Sequence, residues 1–261
     1  MPEKPIDQAD PGLTGWDDAA ARLKQALERD EFALFCQPIL ALAGGERFPM
    51  GETLIRMREE EQALLPPGEF LPVLEHYRLM PQLDRWVLRH VAKRLAAGSR
   101  LACLTMNVSG QTLEEGGFPA FVKDTIRAAG VPVDSLVFEI EEADVLERPE
   151  AVARFVSAMK TVGAGVLIDG FARKSVSFAA LRTVGAHFVK VDGSIVRKIL
   201  KSELALGKLR SIQALGREID LKVIAECVEE QDVLARLKVE GVDYAQGFGI
   251  AQPQPIERFA A

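Results

Sequence analysis

Residues 135–169 read SLVFEIEEADVLERPEAVARFVSAMKTVGAGVLID, and the fold class can be read from this one stretch. Two short apolar runs, SLVFEI and AGVLID, flank Pro149–Val162, whose apolar positions have helical spacing. Gly163 stands just past that segment, where glycine adopts a positive φ at little cost. The pattern is strand, crossover helix, strand. Each run carries a carboxylate near its C-terminal end, Glu139 and Asp169. A strand buried on both faces should be uniformly apolar. Polar groups repeated at such ends, in a β-then-helix alternation, are how a (β/α)-barrel builds an active site on one rim.

The same pattern recurs outward in both directions. Glu52 closes FPMGE in FPMGETLIR, and Asn107 closes LTMN in LACLTMNVS. Lys190 ends HFVK, Glu226 ends LKVIAE, and Gln246 follows VDYA. Seven strand-like segments thus end on a carboxylate, an amide or a lysine. Carboxylate and amide oxygens are the ligands that Mg²⁺ and Mn²⁺ prefer, so the pattern points to one metal-lined site. The plainer alternative is a set of solvated strand ends.

The N-terminal part departs from a regular barrel. Phe32–Pro38 reads as the first strand, and the glycines at 44–45 mark a hairpin-like turn into a strand near Phe48–Arg56. The second strand is therefore expected to run antiparallel to the first. Helices are expected at Trp16–Arg29, Gly68–Tyr77, Leu83–Ala97, Phe118–Ala129, Pro149–Val162, Ser175–Val184, Ile195–Leu215 and Gln231–Glu240. Residues 1–15 are rich in Pro, Gly and Asp and read as a flexible leader, with one domain over 16–261.

Composition sets the limits. The chain has 261 residues, is 48% hydrophobic and 27% charged, and carries a formal charge of −6. An acidic chain lacks the basic face that a nucleic-acid binder needs, though a nucleotide held by a few groups stays open. The three cysteines, Cys36, Cys103 and Cys227, lie in apolar runs with no CxxC, and read as small hydrophobes in a reducing compartment. No signal peptide and no run of about 20 apolar residues is found, so the cytoplasm is expected and a membrane segment is not. His76, His90 and His187 have no ligand-like neighbours in sequence and read as surface or satisfied residues. Arg58-Glu59-Glu60-Glu61 reads as a solvated loop.

An ordered series of motifs then carries a family resemblance. QPI stands at 37–39, ETLIR at 52–56, PGEFLP at 67–72, MNVS at 106–109 and FEIEE at 138–142. LIDG follows at 167–170, VKVD at 189–192, AECVE at 225–229 and QGFGIAQP at 246–253. The chain resembles the EAL domain, the cyclic di-GMP phosphodiesterase module of bacteria, from Phe32 to Pro253. The resemblance implies an α/β fold, a modified (β/α)8 TIM-like barrel with one antiparallel strand. It implies Mg²⁺ or Mn²⁺ as cofactor and cyclic di-GMP as ligand. A first metal would be held by Glu52, Asn107, Glu139 and Asp169, and a second by Asp169, the next residue and Glu226. Lys190, Glu226 and Gln246 would serve catalysis. Gln37, Arg56, Asp192 and Pro253 would contact the ligand, with Arg56 near a phosphate and Pro253 near a guanine. The resemblance also makes a homodimer or another protein partner an expectation.

The chain departs from the family pattern at one place above all. Where the family reads DDFGTGYSS, this chain reads Asp169-Gly170-Phe171-Ala172-Arg173-Lys174-Ser175-Val176-Ser177. Gly170 has no side chain to donate to a second metal, and Arg173 and Lys174 bring positive charge close by. Losing even an outer-shell partner costs about 10–100-fold in metal affinity or activity. Glu142 resembles the family's loop-anchoring glutamate, and the altered loop is expected to deprive it of its partner. Thr53 and Cys227 stand where the family has alanine and glycine, and Glu141 where it has threonine. Three readings stay open: a cyclic di-GMP binder with weak or absent hydrolysis, a working phosphodiesterase giving pGpG, and a nucleotide-independent interaction module.

Overall fold

The computed structural model describes residues 18–44, 47–58, 63–173 and 178–261. The expected leader, Trp16, Gly45, Glu59–Glu61, Lys174 and Ser175–Ser177 lie outside the described residues.

Ten strands and eleven α-helices follow one another in the described residues. The chain opens with α1 (Ala19–Glu28), β1 (Phe32–Ala41) and β2 (Arg47–Arg58), then β3 (Leu64–Leu65), α2 (Pro67–His76) and α3 (Met80–Ala96). The regular alternation starts with β4 (Cys103–Asn107), α4 (Gly110–Glu115), α5 (Phe118–Ala129), β5 (Leu136–Glu141), α6 (Glu142–Glu147) and α7 (Pro149–Val162). It continues with β6 (Gly165–Phe171), α8 (Phe178–Val184), β7 (Phe188–Val191), α9 (Gly193–Val196) and α10 (Glu203–Glu218). The last elements are β8 (Lys222–Ala225), α11 (Gln231–Glu240), β9 (Tyr244–Ala245) and β10 (Gln254–Pro255).

Eight strands close a barrel in the order β1-β2-β4-β5-β6-β7-β8-β9, and β9 pairs back with β1. Every neighbouring pair from β2 to β9 is parallel. Only β1 runs against both of its neighbours, with Gln37 opposite Glu52 and Leu40 opposite Ala245. The reversal follows from the hairpin after residue 41, which leaves no room for a crossover helix. The resemblance's one antiparallel strand is thus the first.

Two apolar layers hold the barrel. The larger lies between strands and helices, where Phe118, Phe138 and Phe155 pack with ring centroids 5.8–6.3 Å apart. The smaller fills the barrel interior with one residue from each strand: Ile39, Met50, Val137, Leu167 and Ile224, with Cys103, Phe188 and Tyr244 against them. Side chains alternate along a strand, so the residues two places on must point inward again.

Some expected elements change. The helix expected over Ile195–Leu215 is two helices, α9 and α10. Asp192 caps the first by accepting from the Ser194 N–H, and Ser202 caps the second by accepting from the Ala205 N–H. Two local caps in one apolar stretch outcompete a continuous ladder. Cys36 is fully buried, whereas Cys103 and Cys227 are only half-buried. Cys227 also lies past β8, at φ 57, the left-handed region that favours the family's glycine.

Asp84 on α3 ties the segment after β4 to the helix layer. Its Oδ2 accepts from the Ser109 N–H, the Ser109 hydroxyl and the Thr112 hydroxyl. Burial outweighs these donors and pushes the Asp84 carboxyl up to about 6. Because the folded value lies above the ordinary one, its contribution to stability is full below pH 4 and is lost as pH rises through about 6. Asp84→Asn keeps an acceptor and removes the charge. It is expected to exceed wild type by up to about 3 kcal/mol at pH 7.5 and to converge with it near pH 4. Denaturant titration at both pH values checks this, and an equal difference at both would exclude Asp84 as the source.

Candidate active site

The polar residues that interrupt the strands form one layer inside the barrel, directly above its apolar floor. Met50 is followed two residues on by Glu52, Cys103 by Thr105, Val137 by Glu139 and Leu167 by Asp169. Phe188 is followed by Lys190, Ile224 by Glu226 and Tyr244 by Gln246. On the reversed β1 the step runs backward, from Ile39 to Gln37. All eight strands therefore contribute, although several of these residues lie mid-strand and not at strand ends. Asn107 and Glu141 stand one further step up, at the mouth.

Lys190 is the hub. Its side chain is 2% exposed, and its Nζ lies 2.6 Å from Glu139 Oε2, 3.0 Å from Glu52 Oε2 and 3.5 Å from Asp169 Oδ1. Burial alone would release its proton, but these three charges hold the ammonium well above its ordinary value. The Glu52 carboxyl is raised by burial, yet Lys190, Gln246 and Asn107 more than offset this and leave it below the usual range. Gln246 Nε2 donates to Glu52 at 2.8 Å, and the Thr105 hydroxyl donates to Glu139.

The remaining acids are less well compensated. Burial, then the neighbouring charges of Glu52 and Asp169 working against Lys190, pushes the Glu139 carboxyl up to about 8. Burial, then the Asp169 charge, pushes Glu226 up to about 7, although its Oε1 accepts from the Gly193 N–H at 2.8 Å. Asp169 Oδ1 is buried without a hydrogen-bond partner. Three acids thus pair with one ammonium, which stands where a cation belongs, and Glu226 lies beside them. No three acidic, imidazole or thiol groups among the described residues converge into a ready coordination shell. The donor chemistry nevertheless fits a further hard cation, as does Asp169 Oδ1, which has the Lys190 charge at 3.5 Å but no hydrogen bond among the described residues.

The residues expected at the ligand are distributed differently. Arg56 makes no ion pair among the described residues; its Nη1 donates to the Ile55 carbonyl at 2.8 Å and its guanidinium lies 5.5 Å from the Phe35 ring centre. Gln37 is engaged inside the fold, donating to the Ala251 carbonyl at 3.0 Å, with its own oxygen 3.4 Å from Gln246 Nε2. Asp192 is buried and accepts from Arg173 Nε and the Ser194 N–H, both at 2.8 Å. Pro253 is half-buried beside β10, which pairs with β1 at Phe35 and Cys36. Glu142 keeps a partner after all: its Oε2 accepts from the Ala172 N–H at 3.2 Å. Ala172 reaches it by taking φ 67 after Gly170 at φ 64, so the altered sequence still folds back onto Glu142. Thr53 points away from Glu52, as alternation requires, and is buried with its hydroxyl unpartnered.

Sequence reasoning missed two features. Thr105 completes the layer, and the period of two from Cys103 was the signal for it. A cavity of about 410 Å³ opens beside the layer, bounded by Leu54, Met80, Leu83, Asn107, Val108 and Glu141. Its wall comes from α3, β2 and β4, whose apolar residues look like any core positions in sequence.

A buried layer of acids around a lysine, on a barrel whose first strand is reversed, matches a known domain type. The EAL domain family model covers residues 20–253. The chain belongs to the EAL domain family. Its EAL domain is 29% identical over 243 residues to the cyclic di-GMP phosphodiesterase PdeB of Shewanella oneidensis, covering 92% of this chain and 28% of that protein. It is 31% identical over 238 residues to the cyclic di-GMP phosphodiesterase PdeF of Escherichia coli, covering 90% of this chain and 32% of that protein. The chain therefore spans about a third of the length of these curated relatives. Among solved structures, the EAL domain of FimX from Pseudomonas aeruginosa bound to c-di-GMP superposes with a TM-score of 0.84 at 30% identity, covering 91% of this chain and 96% of that one. The c-di-GMP complex of the PaMucR phosphodiesterase gives 0.83 at 26% identity, covering 92% and 98%. No helix among the described residues of this EAL domain is long and apolar enough to cross a membrane.

Proposed function

We propose that this EAL domain binds cyclic di-GMP at the barrel mouth and hydrolyses it weakly or not at all. One observation carries this reading: Lys190 gathers Glu52, Glu139 and Asp169 from three other strands of the barrel, while position 170 beside them has no side chain. The cavity bounded by Leu54, Met80 and Leu83 has room for a purine ring and carries Glu141 and Asn107 at its edge. Arg56, half-buried and without an acid partner among the described residues, would meet a phosphate.

Glu52, Asn107, Glu139 and Asp169 would hold one Mg²⁺ or Mn²⁺, with Glu226 nearest the weakened second position. When bound, such ions supply positive charge against the phosphodiester and acidify water. Lys190 keeps Glu52 and Glu139 in place, and Gln246 orients Glu52 from the other side. Glu226, with a carboxyl near 7, can accept a proton from water at neutral pH. The intact Lys190, Glu226 and Gln246 favour a second reading, a slow phosphodiesterase giving pGpG. Three free thiols suit the reducing cytoplasm, where a dinucleotide signal would be read.

Calorimetric titration of cyclic di-GMP decides between them, run once with Ca²⁺ or EDTA and once with Mg²⁺ or Mn²⁺, with products followed by chromatography. Tight binding with intact ligand is expected. Conversion to pGpG would establish the second reading, and no heat in any condition would exclude both.

A further inference from the structure

Gly170 leaves a volume that Arg173 fills. A Cβ built on Gly170 would lie 3.0 Å from Arg173 Nη2, 3.3 Å from Cζ and 3.4 Å from Glu141 Oε2. The guanidinium is tethered from two sides. Its Nε donates to the buried Asp192 at 2.8 Å, and its Nη1 stands 3.8 Å from Glu141 Oε2. The turn that carries it is pinned, because the Arg173 N–H donates to the Gly170 carbonyl at 3.3 Å and the Ala172 N–H donates to Glu142. The side chain is 55% exposed, so part of it is open to solvent. A guanidinium has five donors in a rigid fork that matches two oxygens of a phosphate.

We infer that Arg173 is a tethered cation that takes the place of a second divalent ion and donates to a phosphodiester oxygen of the bound ligand. The inference rests on the reading above that the site takes a cyclic dinucleotide. It goes further in making the replacement of the acid a gain of binding function. A carboxylate at 170 would press on the Arg173 guanidinium, which would have to shift by a few tenths of an ångström to admit it. A guanidinium supplies charge and geometry to a phosphate but cannot acidify water as a metal ion does. Binding is thereby kept while hydrolysis loses half of its electrostatic machinery.

The test measures affinity and metal count, not turnover. Cyclic di-GMP is titrated calorimetrically in EDTA into wild type, Arg173→Ala and Arg173→Lys, and Mn²⁺ per chain is counted by electron paramagnetic resonance. Arg173→Ala should weaken binding about 10–100-fold, the size of a charge-assisted phosphate contact. Arg173→Lys still neutralises Asp192 but cannot hold Asp192 and a phosphate together, so it should lose at least about fivefold. Wild type should take one Mn²⁺, and the Gly170→Asp/Arg173→Ala double variant two. Wild-type binding with both single variants within twofold of it overturns this inference alone, as do two Mn²⁺ in wild type. No binding by wild type overturns it together with the reading it rests on.

Discussion

Lys190→Met should destabilise the folded protein by about 3–5 kcal/mol at neutral pH, the cost of leaving buried charges without their partner. Lys190 is the only cation within the interior layer among the described residues, and its ammonium reaches Glu139, Glu52 and Asp169 at 2.6, 3.0 and 3.5 Å. Methionine fills much of the same volume, so packing changes little and the electrostatic loss dominates. The acids around it would then lose their counter-charge at low dielectric, and the protein would relieve this by taking up protons or a metal ion. Millimolar Mn²⁺ should therefore restore more melting temperature to the variant than to wild type, following the logarithm of metal concentration over its dissociation constant. Thermal melts with and without Mn²⁺ check both parts. An unchanged melting point in the absence of metal would mean that the acids are already protonated. A destabilised variant with no Mn²⁺ recovery would mean that the layer does not accept a divalent cation.

Removing Arg56 should have its effect on binding and not on folding. Among the described residues the guanidinium is held by the Ile55 carbonyl and the face of Phe35, so no buried acid there is orphaned by Arg56→Ala. A phosphate contact through a charged donor contributes about 1.5–3 kcal/mol. Affinity for cyclic di-GMP should fall about 10–100-fold, while the melting point moves little. Arg56→Lys should recover only part, because an ammonium lacks the planar fork. Calorimetry on the three proteins decides the matter: equal dissociation constants would place the phosphate elsewhere, and a large drop in melting point would make Arg56 a structural residue instead.

These two residues differ in how legible they were. Lys190 breaks an apolar run, HFVK, and a charge there must be either satisfied inside or functional; the structure shows that it is satisfied by three acids from three other strands. Arg56 breaks nothing, since arginine near a strand end is common, and only the ETLIR motif singled it out. Asp192, expected at the ligand, caps α9 and pairs with Arg173; the cap is local, whereas no pattern near VKVD reveals the ion pair. Glu142 was expected to lose its partner. One oxygen keeps a partner because a backbone N–H donates to it, and backbone donors are independent of side-chain identity, while the other is buried without one among the described residues.

The alternation of strands and helices, the reversed first hairpin and the inward polar residues were all determined by the sequence itself. Each rests on local rules: apolar runs of strand length, glycine past a helix end, and side chains that alternate with a period of two. What only the tertiary structure decided is which of those residues share a level and which charges meet. The level is set by strand register around a closed barrel, where Gln37 on a reversed strand faces Glu52 and Thr105 completes the ring. The charge balance is set by distance and burial, which bring Lys190 to Glu139 and Arg173 to Asp192 from positions that sequence spacing alone does not relate.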